Sequence, residues 1–103
     1  MIINIAQDYT KTPGGRFITE GNFSGEDFRK RILEPKFLEA QQNGEKLTVI
    51  LDGGYGYATS FLEEAFGGLA RDLHDKSILN IELISEEEPS LVEKILSYIR
   101  DAL

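Results

Sequence analysis

With 103 residues, 41% of them hydrophobic and 10% aromatic, the chain can build one compact domain but not two, so residues 1–103 are read as a single domain. Eleven basic residues against eighteen acidic ones leave a net charge of −7, which repels a phosphate backbone or an anionic bilayer; neither nucleic acid nor membrane is an expected partner. There is no cysteine and His74 is the only histidine, which excludes disulfides, thiol chemistry and a histidine cage for a metal, so neither metal nor cofactor is expected.

No apolar run is long enough to cross a bilayer, and Asn4 and Gln7 interrupt the amino-terminal segment before a signal-peptide core forms. A soluble, cytoplasmic protein is expected.

Met1–Ala6 reads as a short strand built on Ile2, Ile3 and Ile5. Pro13-Gly14-Gly15 is a turn signal, and Arg16–Gly21 alternates well enough to suggest a second strand antiparallel to the first. Ser24 then caps a helix whose stripe is Phe28, Ile32 and Leu33, with Asp27 in the capping-box position. Arg29, Lys30 and Arg31 are read as its solvated side. Pro35 should kink or stop this helix, and a further short piece ends at Asn43-Gly44.

Lys46–Asp52 is the clearest strand, so apolar at Leu47–Leu51 that burial on both faces is expected. Ser60–Leu73 is an amphipathic helix with Phe61, Leu62, Ala65, Phe66, Leu69 and Leu73 on one stripe. Ile78–Ile84 is a further strand, and Glu86-Glu87-Glu88-Pro89 opens a final helix through Leu103. The expected fold is α/β, order β-β-α-β-α-β-α, with a mixed four-stranded sheet and three to four helices.

The segment from Asp52 to Arg71 joins a strand, a glycine-rich loop and a helix start, the place where α/β folds often bind ligands. A phosphate-binding P-loop needs a lysine before the hydroxyl residue, but Ala58 precedes Thr59; a dinucleotide fingerprint needs a glycine where Thr59 stands. A receiver-type aspartyl site at Asp52 finds only Asp8 as a second acid on a neighbouring strand. A serine hydrolase is excluded by distance, because about 20 Å of helical rise separates Ser60 from His74.

Ser60 itself has two compatible roles, helix cap with Glu63 closing a capping box, or phosphoacceptor at the positive end of the helix. Gly67 and Gly68 each cost roughly 1 kcal/mol inside a helix, which implies either tight packing on the sheet or a flat face for a partner. Tyr55 and Tyr57, set among glycines, are candidate interface anchors.

The string Ser60-Phe61-Leu62-Glu63-Glu64-Ala65-Phe66-Gly67-Gly68-Leu69, after a strand ending in Asp52, resembles the signature of the bacterial STAS-like domains of unknown function. Gly15-Arg16-Phe17, Ser24-Gly25-Glu26-Asp27-Phe28-Arg29 and Leu33-Glu34-Pro35 extend the resemblance over nearly the whole chain. That group is distantly similar to the anti-sigma-factor antagonists, whose STAS domains bind kinase-like anti-sigma proteins and are switched by serine phosphorylation. Their acceptor serine lies in Asp-Ser-Ser-Gly at a helix start; Ser60 takes the corresponding place, with Thr59 in place of the aspartate and Phe61-Leu62 in place of Ser-Gly.

The resemblance implies a non-enzymatic regulatory module for signalling by protein binding, with Ser60 as the candidate phosphoacceptor. Its expected partner is a protein, of the histidine-kinase-like ATPase class. The expected partner-binding residues are Tyr55, Tyr57, Thr59, Glu63, Glu64 and Gly67. The alternative expectation is a small-ligand or nucleotide-sensing domain that uses the Gly53–Ser60 loop.

Overall fold

A computed structural model describes residues 1–103. Strand β1 is Ile2–Asn4, shorter than the expected Met1–Ala6. Asn4 ends it by accepting the Gln7 amide on Oδ1 at 3.2 Å, while its own amide donates to Asp8 Oδ2 at 2.8 Å. This reciprocal capping starts a single helical turn, α1 (Ile5–Asp8).

The expected second strand is absent. Arg16–Gly21 holds only a 3₁₀ turn, Ile18–Glu20, so the sheet has three strands, not four, and is wholly parallel, not mixed. The backbone here is committed elsewhere: Gly14 N–H donates to Phe23 O, Gly25 N–H to Gly15 O and Glu26 N–H to Arg16 O, at 2.9–3.0 Å. The Phe17 amide is taken by Glu20 Oε1 at 2.7 Å. Phe17 and Ile18 both stay exposed, so the alternating pattern has no buried face to fill.

Helix α2 spans residues 25–42 as Gly25–Phe28, a π-helical turn at Arg29–Leu33, and Glu34–Gln42. Ser24 Oγ caps it by accepting the Asp27 amide at 3.0 Å, as expected. Pro35 does not stop it. The π turn immediately upstream widens the helix where the proline ring would otherwise meet a carbonyl, and the helix runs on to Asn43 and Gly44, whose φ is +66°.

Strand β2 (Thr48–Ile50) follows, then helix α3 over residues 59–73, assembled from Thr59–Leu62, a second π turn at Glu63–Gly67, and Gly68–Leu73. It ends at His74, which is exposed and left-handed at φ 49°. The expected strand Ile78–Ile84 begins instead as a 3₁₀ turn, Lys76–Asn80, before β3 (Glu82–Ile84). Helix α4 (Ser90–Ala102) closes the chain, with Pro89 just ahead of it. None of the helices is long and apolar enough to cross a membrane.

Strand order is β1-β2-β3, with Ile3, Val49 and Leu83 in register along one face. Ile3 and Val49 are fully buried beneath the helices, in a core of 20 residues that includes Phe28, Phe61 and Phe66. The opposite face carries Ile2, Asn4, Thr48, Ile50, Glu82 and Ile84, and none of these is buried; Ile2 is 64% exposed. Strand β2 is therefore buried on one face rather than both, an uncommon state for a parallel strand. Helix α3 is the centre of the helical layer, packed between α2 and α4.

A candidate interaction site at the start of helix α3

Parallel strands deliver their following loops to one edge of a sheet, and here the loops after β2 and β3 are laced together. Asp52 Oδ2 accepts the Glu86 amide at 2.8 Å, while Oδ1 accepts the Glu87 amide at 3.0 Å and the Ser85 hydroxyl at 3.3 Å. The Glu87 carboxylate returns the contact by accepting the Gly53 amide at 2.8 Å. The two amides, helped by the hydroxyl, hold the Asp52 carboxyl below its ordinary range. Asp52 is thus a clasp between loops.

Gly53 (φ 96°) and Gly56 (φ 114°) take conformations that a side chain would strain, and between them Tyr55 is lifted into solvent, 86% exposed. Its backbone is tied down by its amide, which donates to Lys11 O at 2.9 Å. Tyr57 points the other way. Its hydroxyl donates to Leu51 O at 2.8 Å and its ring lies 5.8 Å from that of Phe61. Burial, then the Asp52 and Glu87 charges, push the Tyr57 phenol up to about 12. Of the two tyrosines, only Tyr55 is free to anchor a partner.

Helix α3 begins one residue earlier than the sequence pattern suggests. Ala58 occupies the cap position, and its carbonyl accepts the Phe61 and Leu62 amides at 3.1 and 3.3 Å. Thr59 is exposed and Ser60 half-buried on the first turn. Ser60 is therefore not the cap, and no capping box joins it to Glu63. Ser60 is the second residue of a helix whose first amides have no intrahelical carbonyl to meet.

Glu63 and Glu64 belong to an ionic cluster at the two π turns. Glu63 Oε1 accepts from Arg16 Nη1 at 2.5 Å, and Arg71 grips the same carboxylate at 2.6 and 3.1 Å. Arg71, supported by Arg16, holds the Glu63 carboxyl below the ordinary range against its partial burial. Glu64 is only 7% exposed. Arg29 Nη2 donates to its Oε2 at 2.7 Å, and Arg29 Nε donates to the Glu64 carbonyl at 3.2 Å. Arg29 Nη1 also donates to Asp72.

Three expectations change here. Arg29 is 6% exposed and not part of a solvated side; Glu64 and Gly67 are buried and lie off the accessible surface of α3. The glycine pair makes room for the cluster. A Cβ on Gly68 would stand 2.5 Å from Arg29 Nε, and one on Gly67 would stand 2.5 Å from Glu63 Oε2.

Of the predicted residues, Tyr55 and Thr59 are exposed, and Ser60 and Glu63 are partly exposed. Arg16, Arg29 and Asp72 were not among the predicted site residues. Two adjacent glycines inside an amphipathic helix were the available signal, because they imply a bulky group pressed against that helix. No three of the histidine, aspartate and glutamate side chains converge as a metal site.

No match was found among curated proteins or solved structures. Residues 24–91, about two thirds of the chain, match the family described as the STAS-like domain of unknown function (DUF4325). The match begins at the Ser24 cap of α2 and runs through β2, the Asp52 clasp, α3 and its ionic cluster, and β3 to Leu91 in α4. This α/β chain belongs to that STAS-like family.

Proposed function

We propose that the chain is a non-enzymatic regulatory module of the cytoplasm that binds a protein through the Gly53–Ser60 loop and the first turn of α3, in the manner of the anti-sigma-factor antagonists. Its partner is a histidine-kinase-like ATPase domain, and phosphorylation of Ser60 is the switch. One observation carries this reading: Tyr55 is held almost fully in solvent by a loop whose neighbours are fastened to the body of the protein. Ordering such an aromatic in advance lowers the entropy lost on binding.

Two further features support the switch. Ser60 is half-buried, not sealed in the core, and Glu63 and Glu64, which would repel a phosphate, are already paired with Arg16, Arg29 and Arg71. The nucleotide-sensing alternative is disfavoured by the cleft beside the loop. It encloses about 270 Å³ and is lined by Asp52, Glu87 and Glu88, whose charges oppose a phosphate.

The test is affinity capture with the purified chain, followed by titration of the recovered ATPase domain. Ser60→Asp and Tyr55→Ala are each expected to weaken binding about tenfold or more. Ser60→Ala should bind as the unmodified chain does, and Tyr55→Ala should leave the melting temperature unchanged. Undiminished binding by Tyr55→Ala would place the interface elsewhere; undiminished binding by Ser60→Asp would remove the switch.

A further inference from the structure

The ionic cluster between α2 and α3 holds one carboxyl more than it has guanidinium groups. Arg16, Arg29 and Arg71 pair with Glu63, Glu64 and Asp72, three cations against three anions. Glu34, on α2, is the fourth carboxyl, and it lies against Asp72. Its Oε1 is buried without a hydrogen-bond partner. If both carboxyls were ionised neither could donate, and a buried oxygen would be left unsatisfied beside a like charge, which is costly on both counts. A single proton removes both penalties.

We infer that Glu34 carries a proton that it donates to Asp72, and that loss of this proton loosens the packing of α2 against α3. The groups facing Glu34 are Asp72 from α3, and Arg29 and Lys30 from its own helix. Burial and the Asp72 charge hold the Glu34 carboxyl above its ordinary value of 4.5, against the two cations. The cations are largely spent elsewhere: Arg29 serves Glu64 and Asp72, and Lys30 reaches Glu26 at 3.0 Å.

The native state holds the Glu34 proton more tightly than the unfolded chain does, so this group's contribution is fully present below pH 4.5. It is lost as pH rises through the elevated native value. From Asp72 the ion pairs run on through Arg29, Glu64 and Arg16 to Glu63, three residues beyond Ser60. The inference stands whether or not the start of α3 binds a partner.

The experiment is a carboxyl-carbon NMR titration of the intact chain, with thermal unfolding and amide exchange of the wild type and Glu34→Gln across pH 4–8. Glu34 is expected to titrate above 4.5. Glu34→Gln, neutral and able to donate to Asp72, is expected to melt higher than wild type above the Glu34 midpoint and to lack the wild-type decline. Amide exchange at residues 29–33 and 63–67 should quicken in the wild type as Glu34 ionises. A Glu34 midpoint at or below 4.5, or a Glu34→Gln melting point no higher than wild type above that midpoint, would overturn the proton. Exchange that does not respond would overturn the loosening.

Discussion

Replacing Arg29 by leucine tests what joins the two long helices. The Arg29 side chain is 7% exposed and that of Glu64 is 9% exposed, so the substitution strands a carboxylate in a site that water barely reaches. Removing one partner of a buried ion pair costs about 3–5 kcal/mol. Arg16 at 3.4 Å and Arg71 at 3.6 Å remain near Glu64 Oε1, which places the expected loss at the lower end, about 3 kcal/mol. For a domain of this size, whose total stability is on the order of 5–15 kcal/mol, that is a large fraction. Urea unfolding followed by far-ultraviolet circular dichroism should show a midpoint lowered by about 1–3 M at unchanged slope. The double variant Arg29→Leu/Glu64→Leu, which removes the stranded charge, should recover most of the loss. If Arg29→Leu costs less than about 1 kcal/mol, or if the double variant is weaker than the single one, the cluster does not hold the helices together as argued.

The glycine pair and the loop clasp provide two further checks. Gly68→Ala gains helix propensity of about 1 kcal/mol but drives a Cβ to 2.5 Å from Arg29 Nε, so calorimetry should show a net loss of about 1–3 kcal/mol. Gly67→Ala meets the tip of the Glu63 side chain, a group better able to move, and should cost less; the reverse ranking would refute the packing account. Asp52 is held below its ordinary range in the native state, so its contribution is present above pH 4 and is lost as pH falls through the depressed native value. Asp52→Asn should therefore lower the melting temperature at pH 7 and flatten its decline below pH 4, measured by thermal unfolding in acid.

Much of the fold was legible because it rests on local rules. The Ser24 cap, the stop at Asn43-Gly44 and the stripe from Phe61 to Leu73 each depend on residues within a turn or two of one another. The loop from Gly53 to Gly56 was readable for the same reason, since its glycines answer a backbone need. Arg16–Gly21 was misread because alternation describes a strand only when a neighbour offers a ladder, and its neighbours instead bind the approach to α2. The candidate site divided likewise. Tyr55 and Thr59 lie at the surface as their setting suggests, whereas Ser60 lost the cap to Ala58, two residues upstream.

Composition, charge and periodicity by themselves determined an acidic α/β chain with a strand, glycine loop and helix in succession, since these follow from short-range sterics and from the separation of apolar and polar side chains. Only the tertiary structure decided which charges are inside. Arg29 and Glu64 are 35 positions apart, and nothing local distinguishes them from the exposed Lys30 or the partly exposed Glu63. Their burial becomes tolerable when two π turns and a glycine pair bring a guanidinium onto a carboxylate, and that meeting is a property of the helix crossing.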